Sequence, residues 1–515
     1  MNPRSLPWKS SADAMVRILK CCVLFYLLPT TYYLLCYAYP PGWSDDILLS
    51  PEDPKQRSNP ALDVDAYHNV WAVWDTTTWV QGTGEVLYSK RDSLGACLIP
   101  ETGVSNNASY SLGPRIAVDA SNNTQIVWRD QTPQGMGLWH ATLANDGTVI
   151  VPAHLAVSGS NDGFPINIAL NKHKEINVIW DEMSSGYNQT NYTKLDSVGN
   201  PIIPKIKVSL DTFYTYWGGI GIDSMANNHL GYRTDDTVSA YRLTYSKLDK
   251  DGNILIDNIF LGFGYHPVMI ADQSQNIHMV YGDHTGPGSR IEYLKLDQEA
   301  NILVGPITLS IYEDNARPHM AMDSLQYLHV VWDTDSAGVF PIMYTKLDTL
   351  GDFVISPMQV VYPPYTQGGG MARIAVDRSN RLHLVWVDDR LNPGVSTDIF
   401  YKRGDNEPGI EEQNQSEPLK PLNITVMPNP FTHRIIIRYS ILDTRYMINK
   451  NALEIYDATG RFVTSFDIES SAENQELDVL WDGKDFLGRA LPDGVYFLTF
   501  TAGIYSTTEK LLLIR

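Results

Sequence analysis

The chain has 515 residues, which is enough for two or more domains that each bury a core. Its 59 acidic and 39 basic residues give a formal net charge of −20. This charge argues against a nucleic-acid binder, which needs a field of lysine and arginine to neutralise phosphates. Cations, neutral glycans and proteins are the partner classes that remain.

The N-terminal segment has the pattern of an export signal. Four basic residues precede an apolar run from Cys21 to Tyr37, and the small residues Cys36 and Ala38 stand where a signal peptidase reads the chain. We therefore predict a signal peptide over residues 1–38, with an uncleaved membrane anchor as the alternative. Cleavage would leave Cys97 as the single cysteine, which excludes an internal disulfide.

The main feature of the chain is a repeat with a period of about fifty residues. Each copy opens with Asp or Asn, continues through a polar turn into an alternating apolar strand, and reaches an aromatic residue nine positions later. The seven copies are Asp65–Trp74, Asp119–Trp128, Asn171–Trp180, Asp223–Tyr232, Asp272–Tyr281, Asp323–Trp332 and Asp377–Trp386. This spacing predicts that each copy is one structural unit.

Every copy also contains a strand before the opening residue and a strand that ends in a Tyr-x-Lys-Leu-Asp-like hairpin. The first six copies continue into a final β-branched strand. Four short strands repeated seven times predict a seven-bladed β-propeller over residues 44–406, with an open solenoid as the alternative. The seventh copy lacks its fourth strand, whereas Ile47–Pro51 resembles the fourth strand Phe353–Pro357. We therefore expect the N-terminal strand to complete the last blade and to hide the open edges.

A second domain follows the repeats. The polar stretch over residues 407–420 predicts a linker. Residues 421–515 then contain about seven short strands separated by turn signals, a pattern that predicts an immunoglobulin-like β-sandwich. The whole chain is therefore expected to be all-β.

Several motifs of this C-terminal segment occur in a characteristic order. They are Pro428-Asn429-Pro430-Phe431, a turn with Gly460, Trp481-Asp482-Gly483, Gly494 with Tyr496, and a basic-apolar tail. They resemble the type A sorting domain of type IX secretion and the related flagellar-hook-capping immunoglobulin-like domain. The resemblance implies export to the outer cell surface of a bacterium or beyond it, with the type IX secretion machinery as a partner. The alternative is that these motifs are turn chemistry alone.

The Lys-Leu-Asp-x-x-Gly-Asn hairpins of the repeat stand where sialidase-like propellers carry their Asp-box turns. No copy contains Ser-x-Asp-x-Gly-x-Thr-Trp, so the repeat resembles a degenerate relative of those propellers. The resemblance implies a fold and gives only weak grounds for an activity.

One loop face of the predicted propeller carries an aspartate after the second strand of each blade. These residues are Asp75, Asp130, Asp181, Asp235, Asp283, Asp333 and Asp388. In the ordinary interpretation, such aspartates accept hydrogen bonds from turn amides. In the alternative, they form a ring of carboxylates that binds a cation or the hydroxyl groups of a sugar.

Three arginines near the start of first strands are further candidates. Arg115, Arg317 and Arg373 would resemble a sialidase pocket if they converged on the carboxylate of a ligand. They belong to unevenly spaced blades, and no Tyr and Glu pair can be assigned with them. A sialidase-like enzyme and other hydrolases therefore stay as alternatives.

No cofactor is predicted from the sequence. The turn Asp249–Asn253 looks like part of a calcium loop, but the distal glutamate is missing at the required spacing. The strand histidines share no ligand spacing. Most tryptophans recur at the blade period and predict an inter-blade core, whereas Trp139, Tyr214 and Trp217 break this pattern and are candidates for exposed rings.

Together these patterns favour an exported or surface-attached propeller that acts as a binding or structural module. Its acidic loop face is the expected contact surface for a glycan or a protein. The alternative is a secreted glycoside hydrolase on the same scaffold, and an envelope scaffold without a ligand is the third class. A convergent acid, base or nucleophile in the central pocket would distinguish the enzyme.

Overall fold

The structure is a computed structural model of the chain. It describes residues 42–51, 53, 55–78, 83–105, 110–132, 135–159, 167–171, 173–184, 186–210, 213–235, 241–285, 288–310, 315–334, 341–361, 370–405, 422–441, 452–458, 461–466, 477–502 and 505–514. The predicted signal peptide and the predicted linker lie outside these residues. Within them, no helix is long and apolar enough to cross a membrane.

Seven four-stranded antiparallel sheets form the blades of a β-propeller. The first, innermost strands are β2 (Gln56–Val64), β6 (Ser111–Val118), β10 (Asn167–Leu170), β14 (Tyr214–Ile222), β18 (Tyr265–Ala271), β22 (Asn315–Met322) and β26 (Gly370–Val376). The second strands are β3 (Val70–Thr78), β7 (Thr124–Thr132), β11 (Ile176–Ser184), β15 (Asn228–Asp235), β19 (Ile277–Asp283), β23 (Leu328–Thr334) and β27 (Leu382–Asp388).

The outer half of each blade completes the sheet. The third strands are β4 (Thr83–Arg91), β8 (Gly135–Leu143), β12 (Tyr187–Leu195), β16 (Arg242–Leu248), β20 (Arg290–Leu296), β24 (Ile342–Leu347) and β28 (Asp398–Gly404). The fourth strands are β5 (Cys97–Gly103), β9 (Val149–Ser158), β13 (Pro201–Lys207), β17 (Ile254–Phe263), β21 (Ile302–Thr308), β25 (Phe353–Val361) and, in the seventh blade, β1 (Ile47–Leu48).

The ring closes through the N-terminal strand. Ile47 pairs with Tyr401 and Leu48 with Phe400, so β1 becomes the outer strand of the seventh blade. The innermost strands of successive blades pack against one another, and β2 packs against β26 where the ring meets itself. This closure excludes the open solenoid and removes the exposed strand edges of the two end blades.

The repeated opening aspartate shapes the turn between the first and second strands. In the first blade, Asp65 Oδ1 accepts hydrogen bonds from the amides of Tyr67 and Asn69, both at 2.9 Å. The residue between them, His68, has φ 67°, and the equivalent residue of every other blade also has positive φ. An Asx turn tolerates this conformation, which explains why Asp or Asn opens each repeat.

Four consecutive blades bury a chain of Asp, His and Tyr. In each, one imidazole nitrogen lies within hydrogen-bond reach of the tyrosine hydroxyl and the other lies 3.2–3.5 Å from the opening aspartate. The sets are Asp223–His229–Tyr245, Asp272–His278–Tyr293, Asp323–His329–Tyr344 and Asp377–His383–Tyr401. These histidines are fully buried and tie the turn to the third strand.

Large aromatic side chains fill the space between blades, as the blade-period tryptophans predict. Trp71, Trp74, Trp128, Trp332 and Trp386 are all at most 1% exposed. The core cluster around Trp71 and Trp128 contains side chains from both the first and the second blade. Burial of an aromatic side chain contributes about 2–3 kcal/mol, so these contacts are a main source of ring stability.

The C-terminal module is a two-sheet β-sandwich. Its strands are β29 (Leu422–Met427), β30 (Ile435–Ile441), β31 (Ala452–Asp457), β32 (Phe462–Phe466), β33 (Leu477–Trp481), β34 (Gly494–Ala502) and β35 (Tyr505–Leu513). One sheet has the order β29-β30-β33 and the other β32-β31-β34-β35. Phe431, Trp481 and Phe500 lie in the core between them. An immunoglobulin-type classification stays a prediction.

Candidate functional site

The innermost strands contain a repeated irregularity beside the central channel. In six blades, the residue six positions before the opening turn residue has left-handed φ, and pairing with the second strand shifts there. These residues are Asn59 (φ 52°), Gly113 (φ 59°), Trp217 (φ 57°), His266 (φ 50°), Arg317 (φ 47°) and Met371 (φ 54°). In the third blade this position lies outside the described residues. Bulges of this kind redirect side chains, and here five of the six residues line the channel.

Three of the predicted loop-face aspartates hold these bulges in place. Asp75 accepts the amide of Gly113 at 2.7 Å, and Asp181 accepts that of Trp217 at 2.7 Å. Asp333 accepts the amide of Met371 at 3.0 Å. Each bond joins the second strand of one blade to the first strand of the next. Because left-handed φ costs roughly 1 kcal/mol or more at a residue with a side chain, such cross-blade bonds help to maintain the bulge.

The hydrogen bonds described for the other four predicted aspartates lie within their own blades. Asp130 and Asp388 each accept a hydrogen bond at 3.1 Å from the indole N–H of the tryptophan two residues earlier. Asp235 forms two hydrogen bonds with Arg233, and Asp283 accepts the amide two residues later at 3.0 Å. Five of the seven aspartates are at most 1% exposed, so the structure places most of them inside the blades rather than in the channel.

A cavity of about 350 Å³ lies in the channel at the level of the bulges. Arg115, Arg317 and Arg373 all line it, so the structure brings together the three arginines singled out from the sequence. The other lining residues are Asn59, Asn167, Trp217, His266, Pro267, Val268, Pro318, His319 and Met371. The described residues that line the cavity include no aspartate or glutamate.

The three arginines differ in how their charge is balanced. Arg317 Nε lies 3.3 Å from Asp333 Oδ2. Arg115 Nε donates to Asn167 Oδ1 at 3.2 Å. Arg373 donates to a backbone carbonyl at 2.9 Å, and no carboxylate among the described residues forms an ion pair with it. Positive charge in the cavity therefore exceeds the negative charge directly beside it.

Burial raises the free energy of this charge. It lowers the pKa of Arg115 to about 10. Burial, together with repulsion from Arg115 and Arg317, lowers the pKa of Arg373 to about 9. Both guanidinium groups stay protonated at neutral pH, so the cavity presents three cations to any ligand that enters it.

Two imidazoles of the cavity are neutral at neutral pH. Burial first, and then repulsion from nearby arginines, hold the pKa values of His266 and His319 well below the ordinary value. His319 Nδ1 accepts the amide of Ile374 at 3.3 Å, which assigns the proton of the neutral ring to Nε2. His266 stacks on Trp217 with ring centroids 4.2 Å apart. The cavity thus combines cations, neutral donors and an aromatic surface.

Sequence reasoning missed the amide and imidazole groups of the cavity, and it named Trp217 only as a candidate exposed ring, although a signal for these residues exists. Asn167 and His319 stand four positions before the opening residue of their repeats, as do Arg115 and Arg373. The bulge residues stand six positions before it. Comparison of the repeats at these two positions would have identified both rings of channel residues.

Among the described residues, no group of three or more His, Cys, Asp or Glu side chains is placed to hold a metal ion. The calcium-like turn is an ordinary hairpin. Asp249 Oδ1 accepts the amides of Asp251 and Asn253 at 2.9 and 2.8 Å.

The Pro-Asn-Pro-Phe motif of the C-terminal module ties the last strand to the sandwich. Asn429 donates to the carbonyl of Lys510 at 2.6 Å and accepts the amide of Leu512 at 2.9 Å. Phe431 packs against Trp481, with ring centroids 5.4 Å apart. The motif therefore builds both an edge of the module and part of its core.

The second group of motifs supports the same core. Trp481 donates its indole N–H to the carbonyl of Lys484 at 2.9 Å and packs against Tyr496 at 5.7 Å. Gly483 has φ 71°, which Asp482-Gly483 needs for its turn, and Gly494 begins β34. Gly460 lies outside the described residues.

Residues 425–514 match the family model of the secretion system C-terminal sorting domain. The C-terminal module is a type IX secretion sorting domain. The sorting domain directs the protein out of the cell, to the cell surface or the extracellular space. The propeller is therefore the part of the molecule that is delivered there.

No curated protein has significant sequence similarity to the chain. Among solved structures, a protein of unknown function from Dyadobacter fermentans is 9% identical, with a TM-score of 0.44, over 71% of this chain and 99% of that one. A PL25 ulvan lyase bound to -[GlcA(1-4)Rha3S]- is 10% identical, with a TM-score of 0.48, over 69% and 95%. The α-L-arabinanase of Penicillium chrysogenum, complexed with arabinobiose, is 10% identical, with a TM-score of 0.42, over 60% and 99%.

Proposed function

We propose that the protein is an exported binding module whose central cavity takes a compact anionic ligand, in particular a sugar with a carboxylate or sulfate group. One observation carries this proposal. Arg115, Arg317 and Arg373 converge on one cavity whose described lining contains no acidic side chain. Guanidinium groups bind carboxylates and sulfates through charge-assisted hydrogen bonds, which are stronger in a partly buried site than in water.

The size of the cavity and the net charge of the protein both limit the class of ligand. A cavity of about 350 Å³ is at the small end of ligand sites and suits one sugar ring. The net charge of −20 repels long polyanions, whereas a single anionic group gains from the local cations. The neutral histidines can donate to ring hydroxyl groups. Asn59 donates its amide hydrogens to Ser58 and Asp75, so it offers its carbonyl oxygen as an acceptor. These features favour one acidic sugar over a highly charged polymer.

The convergence of the three arginines is also the observation that favours the second candidate, a hydrolase of acidic glycosides. Glycoside hydrolysis usually needs two carboxyl groups placed on either side of the scissile bond. Asp75 and Asp333 lie behind the arginines, but each is buried and accepts a backbone amide from the next blade. The described lining thus supports binding better than hydrolysis.

A binding assay with charge-matched sugars tests the proposal. The purified protein is first screened on a glycan array with and without calcium, and released sugar is measured in the same wells. Calorimetry then compares glucuronic acid and N-acetylneuraminic acid with glucose and galactose. We expect an acidic sugar to bind and its neutral counterpart to bind at least tenfold more weakly, because a charged hydrogen bond contributes about 1.5–3 kcal/mol.

Two variants separate the cavity from the rest of the surface. Arg373→Met should weaken binding of the acidic sugar at least tenfold. Arg378→Met removes the same charge from an exposed turn in the same blade and should leave binding unchanged. Equal binding by the wild type and Arg373→Met, or no binding of any acidic sugar, would refute the proposal. Release of sugar would favour the hydrolase.

A further inference from the structure

A row of aromatic side chains leads from the cavity to the loop face of the propeller. It consists of Tyr187, Tyr214, Tyr216 and Trp217, and we call it the aromatic row. Neighbouring ring centroids are 5.0, 6.3 and 5.9 Å apart along it, and the rings of Tyr214 and Tyr216 are nearly parallel. Trp217 also lines the cavity, so the two surfaces are continuous.

The aromatic row is not part of the inter-blade core. The core tryptophans are buried, whereas Tyr214 is 38% exposed and the other three rings are partly exposed. Most described blades have no aromatic residue at the position of Tyr216; the equivalents in the first and second blades are Ser58 and Leu112. The propeller repeat therefore does not require these rings.

A charged pair holds the aromatic row rigid from one side. The guanidinium of Arg233 lies 5.2 Å from the ring of Tyr216, 5.1 Å from that of Trp217 and 3.6 Å from that of Tyr241. Asp235 fixes Arg233 through two hydrogen bonds. A preorganised aromatic surface loses little conformational entropy when a ligand stacks on it.

We propose that the aromatic row is a second subsite, which binds the sugar that adjoins the acidic sugar held in the cavity. The ligand is then an oligosaccharide with one acidic end: the anionic group lies among the arginines, and the apolar face of the next sugar packs on Tyr214 and Tyr216. The proposal rests on the proposed function of the cavity. It adds that the ligand is longer than a single sugar and that the rest of its chain extends from the cavity towards the fourth blade.

Paired ligands of different length test this inference. Calorimetry compares N-acetylneuraminic acid with sialyllactose, and glucuronic acid with a trisaccharide that ends in glucuronic acid, each against the wild type, Tyr214→Ala and Arg373→Met. We expect the longer member of the bound pair to bind more tightly to the wild type. Tyr214→Ala should weaken that longer ligand by about tenfold and leave the monosaccharide unchanged, since it removes one stacking surface.

Arg373→Met should instead weaken both ligands, which separates the two subsites. Tyr67→Ala is the control, because Tyr67 is 67% exposed on a turn at the opposite face and should affect neither ligand. If the monosaccharide and oligosaccharide bind equally and Tyr214→Ala changes nothing, the second subsite is refuted and the cavity proposal stands. If no acidic saccharide binds the wild type, both proposals fail.

Discussion

Replacement of Asp75 tests whether the buried loop-face aspartates act as hydrogen-bond acceptors between blades. Asp75 Oδ2 accepts from Asn59 Nδ2 at 2.8 Å and from the Gly113 amide at 2.7 Å, while Oδ1 accepts from Ser58 Oγ at 2.5 Å. Asp75→Ala leaves all three donors without this partner. All three donors belong to partly exposed residues. The side chains of Ser58 and Asn59 can turn to water, whereas the Gly113 amide is fixed in the backbone and points at the carboxylate.

The expected loss of stability follows from the number of donors that lose Asp75 as their acceptor. One backbone donor left without its partner costs about 1–3 kcal/mol, and the two weakened side-chain bonds add about 1 kcal/mol, so Asp75→Ala should lower the free energy of unfolding by about 2–4 kcal/mol. Asp75→Asn keeps a carbonyl oxygen for Gly113 and Asn59 and offers its amide to Ser58 Oγ. Loss of the charge alone should then cost about 1 kcal/mol.

Urea unfolding, followed by tryptophan fluorescence, measures both variants. Asp283→Ala is the matched control, because Asp283 is partly exposed and caps only its own loop; its cost should stay below about 1 kcal/mol. A cost for Asp75→Asn equal to that for Asp75→Ala would show that the charge matters rather than the acceptor.

Three further predictions follow from burial and close contact. Arg373→Met should raise the free energy of unfolding of the ligand-free protein by about 1–3 kcal/mol, because it removes a partly buried cation beside like charges. A loss of stability in urea would contradict this, and Arg378→Met should change the free energy of unfolding little. The free energy of unfolding should fall as the pH drops from about 6.5 towards 4, because burial lowers the pKa of His278 in the folded protein to about 4 and the unfolded chain therefore binds protons first. Each such histidine contributes up to about 1.4 kcal/mol per pH unit. Urea midpoints that do not change with pH would refute this prediction. Gly219→Ala places a Cβ 2.1 Å from the carbonyl oxygen of Pro267 in the next blade, so it should lower the free energy of unfolding by about 3 kcal/mol. The Cβ of Gly103→Ala meets only the side chain of Leu87 at 3.9 Å, so this control should leave the free energy of unfolding unchanged.

The blades were predictable because their signals are local and repeated. An opening Asp or Asn, a polar turn and an aromatic residue nine positions later recur in every copy, and each has a direct physical role in the structure. The pairing of Ile47–Leu48 with the seventh blade was also predictable. The last repeat lacks a fourth strand and an extra strand precedes the first repeat, so a closed ring forms when the extra strand fills the missing place.

The cavity was only partly predictable. Arg115, Arg317 and Arg373 could be named, but their blades are unevenly spaced, and only the narrow channel brings side chains from distant blades within reach of one another. The bulges depend on left-handed φ at residues such as His266 and Met371, which carry no Gly or Asn signal for that conformation. Cross-blade bonds from Asp181 and Asp333 help to impose it, and such bonds are invisible in a linear pattern.

A hydrogen bond joins the two ends of the propeller segment. The amide of Asp405 donates to the carbonyl of Gly42 at 2.6 Å, and Trp43 forms a bridge with Gly404. The ring thus has no privileged starting blade. A circular permutant that joins these ends and opens another hairpin should keep the same cavity, and it would let the sorting domain be attached to any chosen blade. The position at which the sorting domain is attached would then become a variable that an experimenter can set.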